Sequence, residues 1–167
     1  MEQTKKILIG GGCFWKHELN MQRLIGVIHT EVGYSGGIID HPCYKLICTG
    51  QTNHAEVVLV HYDQSVIKLE DLLYSFFNQH DPTQLNRQGL DVGTQYRSCI
   101  FYYDDEDVQV IQKVLEEVKQ FNNDETIHTQ VAKVKNYWKA EEMHQRYLQK
   151  AGQSAEKGCE DIIMCYN

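Results

Sequence analysis

Between Lys5 and Tyr103 the hydrophobic pattern alternates between a strand repeat and a helix repeat in one order: strand, helix, strand, strand, helix, strand. Lys5 to Gly10 predicts a strand that stops on Gly10-Gly11-Gly12, and a helix follows over Cys13 to Leu24. Val27 to Tyr34 alternates, with Ile28, Thr30, Val32 and Tyr34 on one face. Val57 to Tyr62 is a second β-rich run. Leu69, Leu72, Leu73, Phe76 and Phe77 fall at helical spacing within Lys68 to His80, and Tyr96 to Tyr103 is β-branched and aromatic. This is the order of the split βαβ, or ferredoxin-like, unit: an antiparallel-rich mixed sheet with helices on one face. The fold class is therefore α+β. A helix over Asp104 to Phe121, a weaker strand over Thr129 to Val134 and a helix over Ala140 to Lys150 are additions to that core. Periodicity ends at Gly152, so the chain reads as one domain over 1–150 and a flexible, irregular tail over 151–167. A chain of 167 residues can hide roughly 70% of its unfolded surface, enough for a real core.

Charge removes two classes of partner. Sixteen basic against 23 acidic side chains leave a net charge of −7, with no basic excess to neutralise phosphates, so nucleic acid is not expected. No apolar run approaches the ~20 residues that cross a bilayer, so no membrane association is expected. The apolar run Ile7 to Ile9 is too short for a secretory signal, and the reading is a cytoplasmic, monomeric protein. In a reducing compartment the six cysteines (Cys13, Cys43, Cys48, Cys99, Cys159, Cys165) act as core filler, metal ligands or reactive thiols. A zinc-deaminase reading of His54-Ala55-Glu56 with Pro42-Cys43 and Cys48 fails, because the order is reversed and the cysteine spacing is wrong. No metal and no cofactor are expected.

Cys13 stands apart. Three glycines after a strand permit a tight turn and close approach by another molecule, and they leave Cys13 at or near a helix N-terminus. Unpaired N–H groups and the helix dipole there favour a thiolate and lower the thiol pKa. Phe14 and Trp15 follow at once and can wall an apolar pocket beside the sulfur.

Gly12-Cys13-Phe14-Trp15 resembles the active-site signature of the A-type peptide-methionine sulfoxide reductases, and the likeness covers nearly the whole chain. Gly33-Tyr34-Ser35-Gly36-Gly37 matches the family's glycine turn, and Cys48 to Val58 matches its stretch through His54-Ala55-Glu56. His80 to Gly89 continuing through Asp91 to Ser98 is the longest match. Glu141 to Gln145 with Tyr147-Leu148 resembles the late helix, and Gln153 to Tyr166 resembles the tail of members with two recycling cysteines.

Reduction of a sulfoxide needs a thiolate at sulfur and a proton or strong hydrogen bond at oxygen. An apolar socket for the S-methyl group selects one epimer. The resemblance implies that Cys13 is the nucleophile, that Phe14 and Trp15 form the methyl pocket, that Tyr34 and Tyr96 bond the sulfoxide oxygen, and that Asp91 orders the polar side. It further implies recycling through Cys159 and Cys165 to thioredoxin, with oxidised-methionine proteins or peptides as substrate. Which tail cysteine attacks first is not readable from spacing, although members with this tail favour Cys165.

One segment departs from the pattern. Members carry Pro-x-Tyr-x-Glu-Val-Cys where this chain has Pro42-Cys43-Tyr44-Lys45-Leu46-Ile47-Cys48. On that alignment the proton-donating glutamate falls on Leu46, which cannot donate. Glu18 and Glu56 are candidate substitutes, and the alternative is a sulfoxide-binding protein with impaired turnover.

Overall fold

The computed structural model describes residues 3–165; Met1, Glu2, Tyr166 of the tail motif and Asn167 lie outside the described residues. Strands β1 (Thr4–Gly10), β2 (Val27–Ser35), β3 (Ala55–Asp63) and β6 (Cys99–Tyr102) form the sheet's centre, in the order β6-β1-β3-β2 with every neighbouring pair antiparallel. That is the split βαβ arrangement, as the order of elements anticipates. Two short strands extend it: β7 (Gln130–Lys133) runs parallel to β6 at one edge, and β8 (Trp138–Lys139) pairs antiparallel with β2 at the other. A separate two-stranded hairpin, β4 (Arg87–Gln88) and β5 (Asp91–Val92), stands beside the sheet.

The strand period of two sends alternate side chains to opposite faces. Ile7 and Ile9 of β1, Val58 and Val60 of β3, and Val32 and Tyr34 of β2 join the larger core with the helices α1 (Phe14–Gln22), α3 (Leu69–Phe77) and α4 (Asp107–Phe121). Leu8, Val57, Leu59 and Phe101 point the other way and are covered by Tyr103, Ala132, Val134 and Tyr137. One face is thus closed by helices and the other by the segment that leads from β7 to β8.

Two local readings change. A register shift between Val27 and His29 turns Ile28 outward, 60% exposed, while Val27 takes the buried place. A bulge inserts a residue and flips the alternation, which a period of two cannot show. The late helix is also broken: a 3₁₀ turn (Glu142–His144) and α5 (Tyr147–Lys150) are separated by Arg146 at φ 53°. Arg146 N–H donates to the buried carboxylate of Glu18 at 2.7 Å, an anchor that holds this left-handed conformation in place.

Candidate active site

Gly12 adopts φ 88°, a conformation that favours glycine, and its N–H donates to the Tyr96 carbonyl at 3.0 Å. The turn delivers Cys13 to the cap position of α1 with its backbone extended. A Cβ on Gly10 would collide with the Glu56 carbonyl oxygen, so this glycine lets β3 bring Glu56 against the Cys13 loop. His17 Nε2–H donates to the Gly11 carbonyl at 2.6 Å, and His80 packs on Gly11 while bonding Ser98 Oγ at 2.7 Å. Burial pushes His17 down to about 4 and His80 down to about 3, so both wall the loop as neutral rings.

Two cavities meet at Cys13. The first, about 320 Å³, is lined by Phe14, Trp15 and Tyr147 on its apolar side and by Tyr44, Glu56 and Tyr96 on its polar side. The second, about 280 Å³, holds Cys165 and Lys16; Asp91, from the β4–β5 hairpin, lines both. The apolar wall is closely packed. The Trp15 ring stacks on Tyr147 at 3.8 Å and 9°, and its Nε1–H donates to His144 Nδ1 at 3.3 Å. Phe14 is buried against Tyr34 and His144.

Glu56 is the buried carboxyl of the polar side. Burial pushes it up to about 8, the Phe14 N–H at 3.2 Å pulls it back in part, and the charges of Asp91 and Cys165 push it further up. At neutral pH it therefore holds a proton to give. The hydroxyls of Tyr44 and Tyr96 are both held above the ordinary phenol range, chiefly by burial, and remain donors.

The Cys13 thiol contradicts the expectation of a lowered pKa. Its hydrogen bond with Cys165 raises it most, followed by burial and the charge of Glu56, and the Trp15 N–H at the helix start only partly offsets them. Cys165 shifts the opposite way, lowered chiefly by the same bond. The helix-terminus argument lacked the partner thiol, which the tail folds back from the far end of the chain to supply.

Cys13, Phe14, Trp15, Asp91 and Tyr96 are brought together as expected, and Tyr34 is not. Tyr34 is 0% exposed beneath the site, and its hydroxyl donates to Glu141 Oε1 at 2.9 Å. The other Glu141 oxygen accepts the Tyr44 N–H at 2.9 Å, fixing the start of α2 (Tyr44–Ile47). Tyr44 reaches the cavity and Tyr34 supports it. A paired test follows. Tyr34→Phe costs about 1 kcal/mol of stability from one lost hydrogen bond and leaves methionine formation near wild type. Tyr44→Phe lowers single-turnover methionine formation by about 10²-fold while the fold stands.

The placement of the acid at Leu46 is likewise corrected. Leu46 is 44% exposed and lies outside the cavity, whereas Glu56, from the His54-Ala55-Glu56 stretch, lines it. Glu18, the other candidate, accepts from Thr30 and Arg146 and is structural. Alignment with the family pattern does not show which side chain of α2 faces the cavity, and here it is Tyr44. A lone carboxylate in the apolar run Ala55 to Val60 was the signal available. Leu46→Glu should leave turnover unchanged in a steady-state assay; a rise of about tenfold would return the acid to that position.

The other cysteines separate by burial. Cys99 is fully buried in β6, while Cys48 is exposed and hydrogen-bonded to Tyr44. Among the described residues no group of three or more metal-ligating side chains is assembled, and no helix is long and apolar enough to cross a membrane.

Fold and site together define a thiol-bearing oxidoreductase, with Cys13, Glu56 and Cys165 gathered at two adjoining cavities. Residues 5–161 match the family model described as peptide methionine sulfoxide reductase. The chain is 51% identical over 160 residues to the peptide methionine sulfoxide reductase of Fragaria ananassa, covering 93% of this chain and 84% of that one. The reduced form of Mxr1 from Saccharomyces cerevisiae superposes with a TM-score of 0.85 at 39% identity, over 91% of this chain and 88% of that one. Mxr1 in complex with Trx2 aligns with a TM-score of 0.62 at 26% identity, over 87% and 85%. The chain belongs to the peptide methionine sulfoxide reductase family, and its activity is the reduction of methionine sulfoxide.

Proposed function

We propose that the chain reduces the S epimer of methionine sulfoxide, in proteins and peptides, through Cys13, and returns to its starting state by a disulfide relay to thioredoxin. The supporting observation is the meeting of two cavities at one sulfur, with a proton donor in the first and a thiol in the second. In this reading Phe14 and Trp15 take the S-methyl group, and Tyr44, Tyr96 and Glu56 face the oxygen. Asp91 keeps the Glu56 proton in place by like-charge repulsion of its anion.

Cys13 gives up its proton and its sulfur attacks the sulfoxide sulfur, while Glu56 protonates the oxygen. The S–S bond made by that attack breaks as oxygen passes from methionine to Cys13, so one S–O bond is lost and one gained, and the proton from Cys13 replaces the one that Glu56 gave. Methionine leaves and Cys13 is a sulfenic acid. Cys165 then attacks that sulfur: the S–S bond forms and hydroxide leaves with the thiol proton as water. Attack by Cys159 on Cys165 frees Cys13 as a thiol and leaves a Cys159–Cys165 disulfide for the reductant. The contact between the Cys13 and Cys165 thiols supports Cys165 as the first attacker. The Mxr1 complex with Trx2 supports a thioredoxin as reductant.

The test is turnover of the two separated epimers of a blocked methionine sulfoxide with dithiothreitol, on wild type and Cys13→Ser. Reduction confined to the S epimer and lost in the variant is the expected result. Reduction of the R epimer, or activity that survives in Cys13→Ser, overturns the reading.

A further inference from the structure

The tail after α5 has no helix or strand, yet it is tied to the domain at closely spaced points. Arg23, at the end of α1 and 6% exposed, donates Nε–H to the Ser154 carbonyl at 2.7 Å and Nη1–H to the Asp161 carbonyl at 2.6 Å. Its own carbonyl accepts the Gly158 N–H at 2.8 Å. Lys157 Nζ donates to the carbonyls of Gln22 (2.7 Å), Leu24 (3.0 Å) and Val27 (2.7 Å). These three acceptors use every donor of the ammonium. Gln22 ends α1, where carbonyls lack helical partners and the dipole favours a cation, and Leu24 and Val27 lie in the turn and at the start of β2 that follow. Further along, the Gln153 amide pairs with both backbone groups of Met164: Nε2–H donates to its carbonyl and Oε1 accepts its N–H at 2.9 Å.

These bonds give the tail a path. Arg23 and Lys157 fasten it at the C-terminal end of α1, and Gln153 fixes Met164, the residue before Cys165. Cys165 in turn lies in the cavity at the N-terminal end of the same helix, where Cys13 sits. None of the three side chains lines either cavity, so none has a part in sulfoxide chemistry.

We propose that Arg23, Lys157 and Gln153 form a clamp that presents Cys165 to the Cys13 sulfenic acid, so that they are positioning residues of the recycling step. The inference rests on the relay proposed above. An unclamped tail visits Cys13 as one of many conformations; a clamped one raises the effective concentration of the Cys165 thiol at the sulfenic sulfur. The clamp also sets an order. Cys159 lies between two anchors, Gly158 and Asp161, so its exchange with Cys165 follows release of that stretch.

The experiment uses the full chain, reduced, with one equivalent of blocked methionine sulfoxide. Wild type is compared with Gln153→Ala, Lys157→Met and Arg23→Met. Methionine formed, sulfenic acid trapped by a dimedone probe, and remaining free thiols are followed over time. The clamp variants should form methionine at the wild-type rate, while the trappable sulfenic acid lasts about tenfold longer. Turnover driven by thioredoxin should fall to match, whereas turnover driven by dithiothreitol, which reduces the sulfenic acid without the tail, should hold. A structural defect would lower both together. Arg23→Lys, which keeps a donor, should restore part of the loss. Gln153→Ala removes one exposed amide and serves if Arg23→Met fails to fold. Sulfenic acid lifetimes equal to wild type in Gln153→Ala and Lys157→Met overturn the clamp. A wild-type chain that forms no methionine would overturn the site reading beneath it, and the first readout tells the two apart.

Discussion

Replacing Glu56 by Gln should lower single-turnover methionine formation by about 10²–10⁴-fold, the range that a positioned general acid contributes. Glutamine keeps the shape of the side chain and an acceptor for the Phe14 N–H, so the loss isolates the proton. The pH profile gives an independent check. Burial pushes Glu56 up to about 8, so the acid form present at neutral pH disappears as pH rises through that value. Wild-type methionine formation should therefore fall above about pH 8, and Glu56→Gln should lack that limb. The variant's stability should move opposite to its activity. A carboxyl with a folded pKa above its unfolded value binds more protons when folded, so wild type loses stability as pH climbs from about 4.5 to about 8. Gln has no proton to lose there, and thermal melts at pH 8 should place the variant above wild type. A variant that is slower yet more stable is what a strained catalytic carboxyl predicts. Methionine formation within about threefold of wild type would remove Glu56 as the acid.

The sheet was legible because its strands carry strong period-two or continuous apolar patterns and its main helices carry clear stripes. Both patterns report burial directly. The bulge at Ile28 and the break at Arg146 were not legible, since each depends on a partner far along the chain: β3 for the first and Glu18 for the second. The site divides in the same way. Cys13, Phe14 and Trp15 follow one another through a turn whose geometry the glycines announce. Tyr34 and Tyr44 cannot be told apart by residue type, and only the fold, with Glu141 accepting from the Tyr34 hydroxyl and the Tyr44 N–H, sends one to the core and the other to the cavity. Glu56 was within reach, because an isolated carboxyl in an apolar strand is costly to bury without a purpose. The thiol pair was beyond reach in one respect: the sequence shows both tail cysteines, but neither which of them attacks first nor that Cys165 lies in the cavity beside Cys13.

That resting contact predicts different products when each tail cysteine is removed. Cys165→Ser should complete one burst of methionine and then stop, with Cys13 held as a sulfenic acid that a dimedone probe captures. Thioredoxin-driven turnover should drop to near background. Cys159→Ser should also stop after one burst, but as a Cys13–Cys165 disulfide, silent to the probe and visible as the loss of two thiols and as a linked peptide after digestion. The asymmetry follows from position. Cys165 is the thiol that lines the cavity beside Cys13, so it meets the sulfenic sulfur without crossing the molecule. Cys159 is anchored through its neighbours Gly158 and Asp161 to Arg23, at the other end of α1. The Cys165→Ser variant has a second consequence. The bond to Cys165 is the largest influence raising the Cys13 thiol, and burial and the charge of Glu56 remain when it is gone. Cys13 should ionise at lower pH in Cys165→Ser than in wild type, read from the pH dependence of its alkylation by iodoacetamide. An unchanged midpoint would remove the Cys165 bond as the cause of the raised Cys13 thiol, and a probe-reactive sulfenic acid in Cys159→Ser would reverse the assigned order of the two tail thiols.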